Sequence, residues 1–126
     1  MTWEFMSISN RIKWIEYKNK ELLYIDFSGL YGGRYMQEIL NLRNFVIESG
    51  RENIRVLFNA SNTFVKREII MEIQRNIKEF DSNVSKTAIV GSSKVQEIFI
   101  KFLRTITKVQ FEIFDSEEIG RDWLVK

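Results

Sequence analysis

"KTAIVGSSKVQEIFIKFL", residues 86–103, is an apolar run that stops at Gly91, continues through two serines, and then turns into a periodic apolar stripe. Val95, Ile98, Phe99, Phe102, Leu103 and Ile106 follow the i, i+3, i+4, i+7 spacing of one helix face. The segment therefore predicts a strand leading directly into a helix. A strand that is apolar through its centre, without alternation, is expected to be covered on both faces, as in a parallel sheet.

The same unit recurs on either side. "IRVLFNA" (54–60) predicts a second buried strand, and a helix is expected from about Lys66 to Phe80 with Ile69, Ile70, Ile73, Ile77 and Phe80 on its stripe. Upstream, "LLYIDF" (22–27) is a strand broken by the glycines of "SGLYGG". A helix follows in which Met36, Ile39, Leu40, Val46 and Ile47 share a face flanked by Leu42 and Phe45, closing at Ser49-Gly50. "RIKWIEYK" (11–18) joins the 22–27 strand through the polar "KNKE" as a β-hairpin. Downstream, "VQFEIF" (109–114) alternates like a less covered strand, and "DSEEIGRDWLV" starts a last helix with Asp115 or Ser116 as cap and Glu117 and Glu118 at its positive end.

Strands alternating with helices predict an α/β fold with right-handed crossovers. The 126-residue chain suits a single domain: a mostly parallel five-stranded sheet with an N-terminal β-hairpin and four flanking helices. Residues 1–10 lack a period and are expected to form a leader, with Trp3 and Phe5 packing on the domain at 11–126.

Composition removes whole classes of chemistry. There is no His, Cys or Pro, so no Ser-His-Asp triad, no cysteine nucleophile, no disulfide and no zinc site of nitrogen and sulfur ligands is possible. No metal and no cofactor is expected. A net charge of +2 with interspersed signs argues against nucleic acid, and the basic "VKRE" (65–68) falls at a helix start, where it is expected to be solvated. No apolar run is long enough to span a bilayer, and no signal sequence is recognisable, so a soluble cytoplasmic protein is expected.

Gly91-Ser92-Ser93 has two readings. Gly91 eases the strand out of the sheet and a serine caps the helix, or the same amides hold an anion. A nucleotide P-loop is rejected because its glycine spacing and its Gly-Lys-Ser/Thr ending are missing. A serine nucleophile is rejected for want of a base, as Lys94 follows immediately in the chain. Parallel strands end on one side, so this loop should meet two others there. One carries Asp26, Ser28 and Tyr31, and the other carries Asn59, Ser61, Asn62 and Phe64. With Ser92 and Ser93 these form the candidate binding rim. It contains one obvious carboxylate, which supports recognition better than paired acid/base catalysis. Most of the aromatic residues are expected in the core, with Tyr31 and Phe64 left to form a partner surface or a pocket wall.

"LLYIDFSGL", "VLFNAS", "KTAIVGSS" and "FEIFDSEEIGRDWL" together resemble the STAS superfamily, and within it the SpoIIAA-like proteins, over residues 11–125. The resemblance implies a small α/β domain that acts through a protein partner, with small or lipid-like ligands as the alternative. In relatives that are switched by phosphorylation, an Asp-Ser pair opens the helix after the third strand. This chain has "NASNTFVKREII" there, and Ser61 and Thr63 only neighbour that place, so the switch is not carried over. The function expected is thus a non-enzymatic regulatory or binding module with a protein partner at the rim. The alternative is a carrier or sensor with an apolar pocket.

Overall fold

Lys18 and Asn19 both adopt positive φ, 50° and 66°, the geometry of a two-residue hairpin turn whose twist matches its strands. That turn pairs β1 (Ile12–Tyr17) antiparallel with β2 (Lys20–Asp26) in the register Ile12 to Ile25 and Tyr17 to Lys20. The computed structural model describes residues 10–63, 65–92, 97, 101 and 109–126. Beyond the hairpin it continues as α1 (Gly32–Ser49), β3 (Ile54–Asn59), α2 (Arg67–Lys78), a short 3-10 turn (Asp81–Asn83), β4 (Val84–Val90), β5 (Gln110–Phe114) and α3 (Glu117–Leu124).

The five strands lie in the order β1-β2-β3-β4-β5, and every pairing after the hairpin is parallel. Because each parallel step moves the same way across the sheet, right-handed crossovers must put their helices on one face. Accordingly α1 and α2 share a core with Leu23, Ile25, Val56 and Phe58. The alternate residues Leu22, Leu57 and Ala88 face the other side, where Leu124 and Trp123 of α3 cover them. The central strands are thus apolar on both faces, as the continuous runs required.

Three α-helices lie among the described residues, and the fourth expected helix, with its Val95 to Ile106 stripe, falls outside them, as do Trp3 and Phe5. Helix α1 buries Tyr35, Ile39, Leu42 and Val46, leaving Ile47 about half exposed. Its inward stripe is therefore rotated from the Met36-to-Ile47 face expected above, because Tyr35 packs edge-on against Phe27 and sets the helix's first turn. Gly50 ends the helix in the left-handed conformation, its N–H donating to the Ile47 carbonyl. The cap of α3 is Ser116, whose hydroxyl accepts from the Ile119 N–H at 3.2 Å.

Candidate functional site

The rim is built from backbone bonds between loops that are distant in sequence. Phe27 N–H donates to the Asn59 carbonyl at 3.0 Å, Gly29 N–H to the Ser61 carbonyl at 2.9 Å, and Ala60 N–H to the Val90 carbonyl at 2.8 Å. The ends of β2, β3 and β4 are stitched together in this way just where the strands stop.

Side chains complete the stitching. The Asp26 carboxylate accepts from both the N–H and the hydroxyl of Ser28, closing a turn on itself. Asn59 does the same for the Ser61 N–H at 2.9 Å, and Thr63 donates to the Ala60 carbonyl. Arg11, at the entry to β1, donates to the carbonyls of Asp26 and Ser28. Hence Asp26, Ser28, Asn59 and Ser61 do come together, but most of their polar groups are spent on shaping the loops. Asp26 is turned toward Ser28 in a local turn, which is a positioning role.

Gly91 sits beneath this arrangement with φ 75°, a left-handed backbone. A Cβ built there would lie 2.0 Å from Ser61 Oγ and 3.1 Å from Ser61 Cα, so the β4 exit and the β3–α2 loop touch only because residue 91 is glycine. Ser61 is therefore a packed residue. Ser92 Oγ is buried without a hydrogen-bond partner among the described residues, and the amides it was expected to cap lie outside them. Ser93 and Phe64 lie outside the described residues. What the rim does present is Tyr31, 71% exposed at the start of α1, together with the exposed Asn62 in a left-handed turn.

On the opposite face of the sheet, Glu117 accepts from the Tyr24 hydroxyl at 2.8 Å and from the Asn59 amide at 3.4 Å. Burial first, and then the bond to Glu117, push the Tyr24 hydroxyl above the ordinary tyrosine range. Nearby, Asp122 accepts from Tyr17 and Lys18, and these two bonds hold its carboxyl below the ordinary range.

Residues 22–125 match the SpoIIAA-like family. The chain belongs to the SpoIIAA-like family. A solved structure with which this SpoIIAA-like chain superposes is an uncharacterized protein of the DUF3478 family with a SpoIIAA-like fold from Shewanella loihica PV-4. The TM-score is 0.71 at 17% identity, covering 90% of this chain and 91% of that one, which establishes a shared fold. No curated protein matches the chain.

A second feature of this SpoIIAA-like chain was not foreseen in detail: a cavity of about 100 Å³ between the sheet and helices α1 and α2. Leu23, Val56 and Phe58 form its floor, and Ile39, Leu42 and Ile73 its roof. Alternation along "KTAIV" does put Thr87 on the same face as Ile89, and Tyr35 lies one turn before Ile39, so both were findable as inward polar positions. Whether facing side chains leave room between them is not written in any pattern. Among the described residues no group of acids could hold a metal ion, and no helix is long and apolar enough to cross a membrane.

Proposed function

We propose that the protein is a non-enzymatic regulatory or binding module that engages a protein partner at the strand C-terminal rim. The observation that carries this reading is the set of interloop hydrogen bonds that fixes the rim before any partner arrives, with Tyr31 projecting from it. A preorganised surface loses little conformational freedom on binding, and an exposed tyrosine is a frequent interface anchor. Membership of the SpoIIAA-like family, whose members are typically regulatory interaction modules, supports the same class of function. The polar groups of the rim are occupied in turns, which suits recognition better than proton transfer. We assign the binding unit to residues 11–126, with 1–10 as a leader, and place it in the cytoplasm.

The test is affinity capture with the wild-type protein, Tyr31→Ala and Ile119→Ala, the last altering an exposed residue of α3 remote from Tyr31 in sequence. A partner retained by wild type and by Ile119→Ala, and weakened by about 1 kcal/mol or more in Tyr31→Ala, supports the rim. Loss with Ile119→Ala alone moves the interface to α3.

A second reading, a carrier or sensor of a small apolar ligand, is favoured by one specific observation: the cavity over the sheet. Native mass spectrometry of protein purified from its own cells checks it. A stoichiometric noncovalent adduct, released by denaturation, is the supporting result.

A further inference from the structure

The two hydroxyls of the cavity are its most informative atoms. Tyr35 and Thr87 both line it, are 5% and 7% exposed, and their hydroxyls make no hydrogen bond among the described residues. A hydroxyl left without a protein partner at a cavity wall is open to a bond from whatever enters, and such groups are commonly met by water or a ligand. Tyr35 is further marked by its ionisation: burial alone pushes its hydroxyl far above the ordinary tyrosine range, so it stays neutral.

The charge of the lining is equally restrictive. Among the described lining residues there is no Lys or Arg, and Asp81 is the single ionisable acid. A carboxylate or phosphate guest would enter without a counterion and meet a residue of its own sign, whereas an uncharged guest meets neither obstacle. The size also narrows the choice. An engineered apolar cavity of about 150 Å³ takes benzene, so this space of about 100 Å³ takes a single ring or a short carbon chain only with part of it emerging through the open side.

We infer that this cavity binds a small neutral amphiphile, an apolar body carrying one uncharged hydroxyl, carbonyl or amide head that hydrogen-bonds to Tyr35 and Thr87, and that it discriminates against anionic analogues of the same shape. This rests on the second reading above, that the cavity is a ligand site. Both hydroxyls can donate and accept, so an alcohol, a phenol or an amide satisfies them equally well. The apolar floor and roof supply the affinity, and the two hydroxyls supply the choice of head group.

Isotope-labelled full-length protein is titrated with toluene, p-cresol, p-toluamide and p-toluate at neutral pH, following the methyl signals of Leu23, Val56 and Ile73. Two variants, Tyr35→Phe and Thr87→Val, remove each hydroxyl while conserving shape, and circular dichroism checks their folding. The expected result is that p-cresol and p-toluamide bind, with p-toluate at least about tenfold weaker than its isosteric amide. Each variant should weaken p-cresol about fivefold and leave toluene unchanged. If p-toluate matches p-toluamide, or if neither variant distinguishes p-cresol from toluene, the inference about the head group fails while the cavity remains a ligand site. If none of the four probes shifts the cavity methyls at about 10 mM, the carrier reading fails with it.

Discussion

Replacing Gly91 by alanine tests the architecture of the rim directly. Two costs are separable. The backbone at φ 75° is left-handed, which an L residue with a Cβ adopts at a cost of roughly 1–2 kcal/mol. The new methyl would also stand 2.0 Å from Ser61 Oγ, 3.0 Å from its Cβ and 3.1 Å from its Cα. The hydroxyl can rotate away, but Ser61 Cβ and Cα are held by the Gly29 N–H on the Ser61 carbonyl and by the bond from Ser61 N–H to Asn59. Overpacking of this kind costs roughly 1–3 kcal/mol, so Gly91→Ala should lose about 2–5 kcal/mol in total. The assay is urea unfolding followed by the fluorescence of Trp14 and Trp123. Ser61→Gly provides the second leg of a double-mutant cycle, because it removes Oγ and Cβ but leaves the left-handed backbone untouched. The double variant should recover the steric part, giving a coupling energy of about 1 kcal/mol or more. A loss below about 0.5 kcal/mol in Gly91→Ala, or strict additivity in the cycle, would refute the close approach of the two loops.

Tyr35→Phe should leave stability at neutral pH unchanged or slightly raised, since the hydroxyl it removes has no hydrogen-bond partner among the described residues. Burial raises the folded-state Tyr35 ionisation above its unfolded value, so its stabilising share is complete below about pH 10. That share falls as pH rises further, at about 1.4 kcal/mol per pH unit; Tyr35→Phe should flatten this alkaline limb, as read by denaturant melts across pH 9 to 12. Asp122 is shifted the other way by its bonds from Tyr17 and Lys18, so its contribution is present above the unfolded carboxylate value and disappears as pH falls through the folded one. Asp122→Asn should therefore flatten the acid limb, with a small loss of stability above about pH 4 that disappears at lower pH, an effect kept small by exposure to solvent. Ser116→Ala should cost about 1 kcal/mol, measured by thermal or urea unfolding, because the Ile119 N–H loses its acceptor.

Much of the fold was legible because its signals are local. Continuous apolar runs at 54–60 and 86–91 announced strands covered on both faces, and Leu57 and Ala88 on one side with Val56 and Ile89 on the other are what those runs encode. The convergence of three loops followed from strand direction alone. Their internal chemistry did not: Ser61 reads as a free rim hydroxyl in one dimension, and only the fold brings it against Gly91, thirty positions later. Tyr35 was hidden for a related reason. Among the aromatics it looks like any packing residue, and its lack of a hydrogen-bond partner among the described residues depends on what α1, Phe27 and the sheet place around it. The rotated stripe of α1 belongs to the same class, since Met36 and Tyr35 are neighbours and a 100° difference in direction is decided by tertiary contacts.

Asn59 offers its amide in two directions, the oxygen to the Ser61 N–H in the loop and the nitrogen to Glu117 at the start of α3. An aspartate there would keep the first bond and confront Glu117 with a second negative charge, while a glutamine would carry the amide past the Ser61 N–H. The loop after β3 is for that reason not a detachable part. A chimaera that transplants it from another SpoIIAA-like chain would have to bring along the residues equivalent to Glu117 and to Tyr24, which shares that carboxylate. The unit of exchange in this molecule is a loop plus a helix on the far side of the sheet, joined through one side chain.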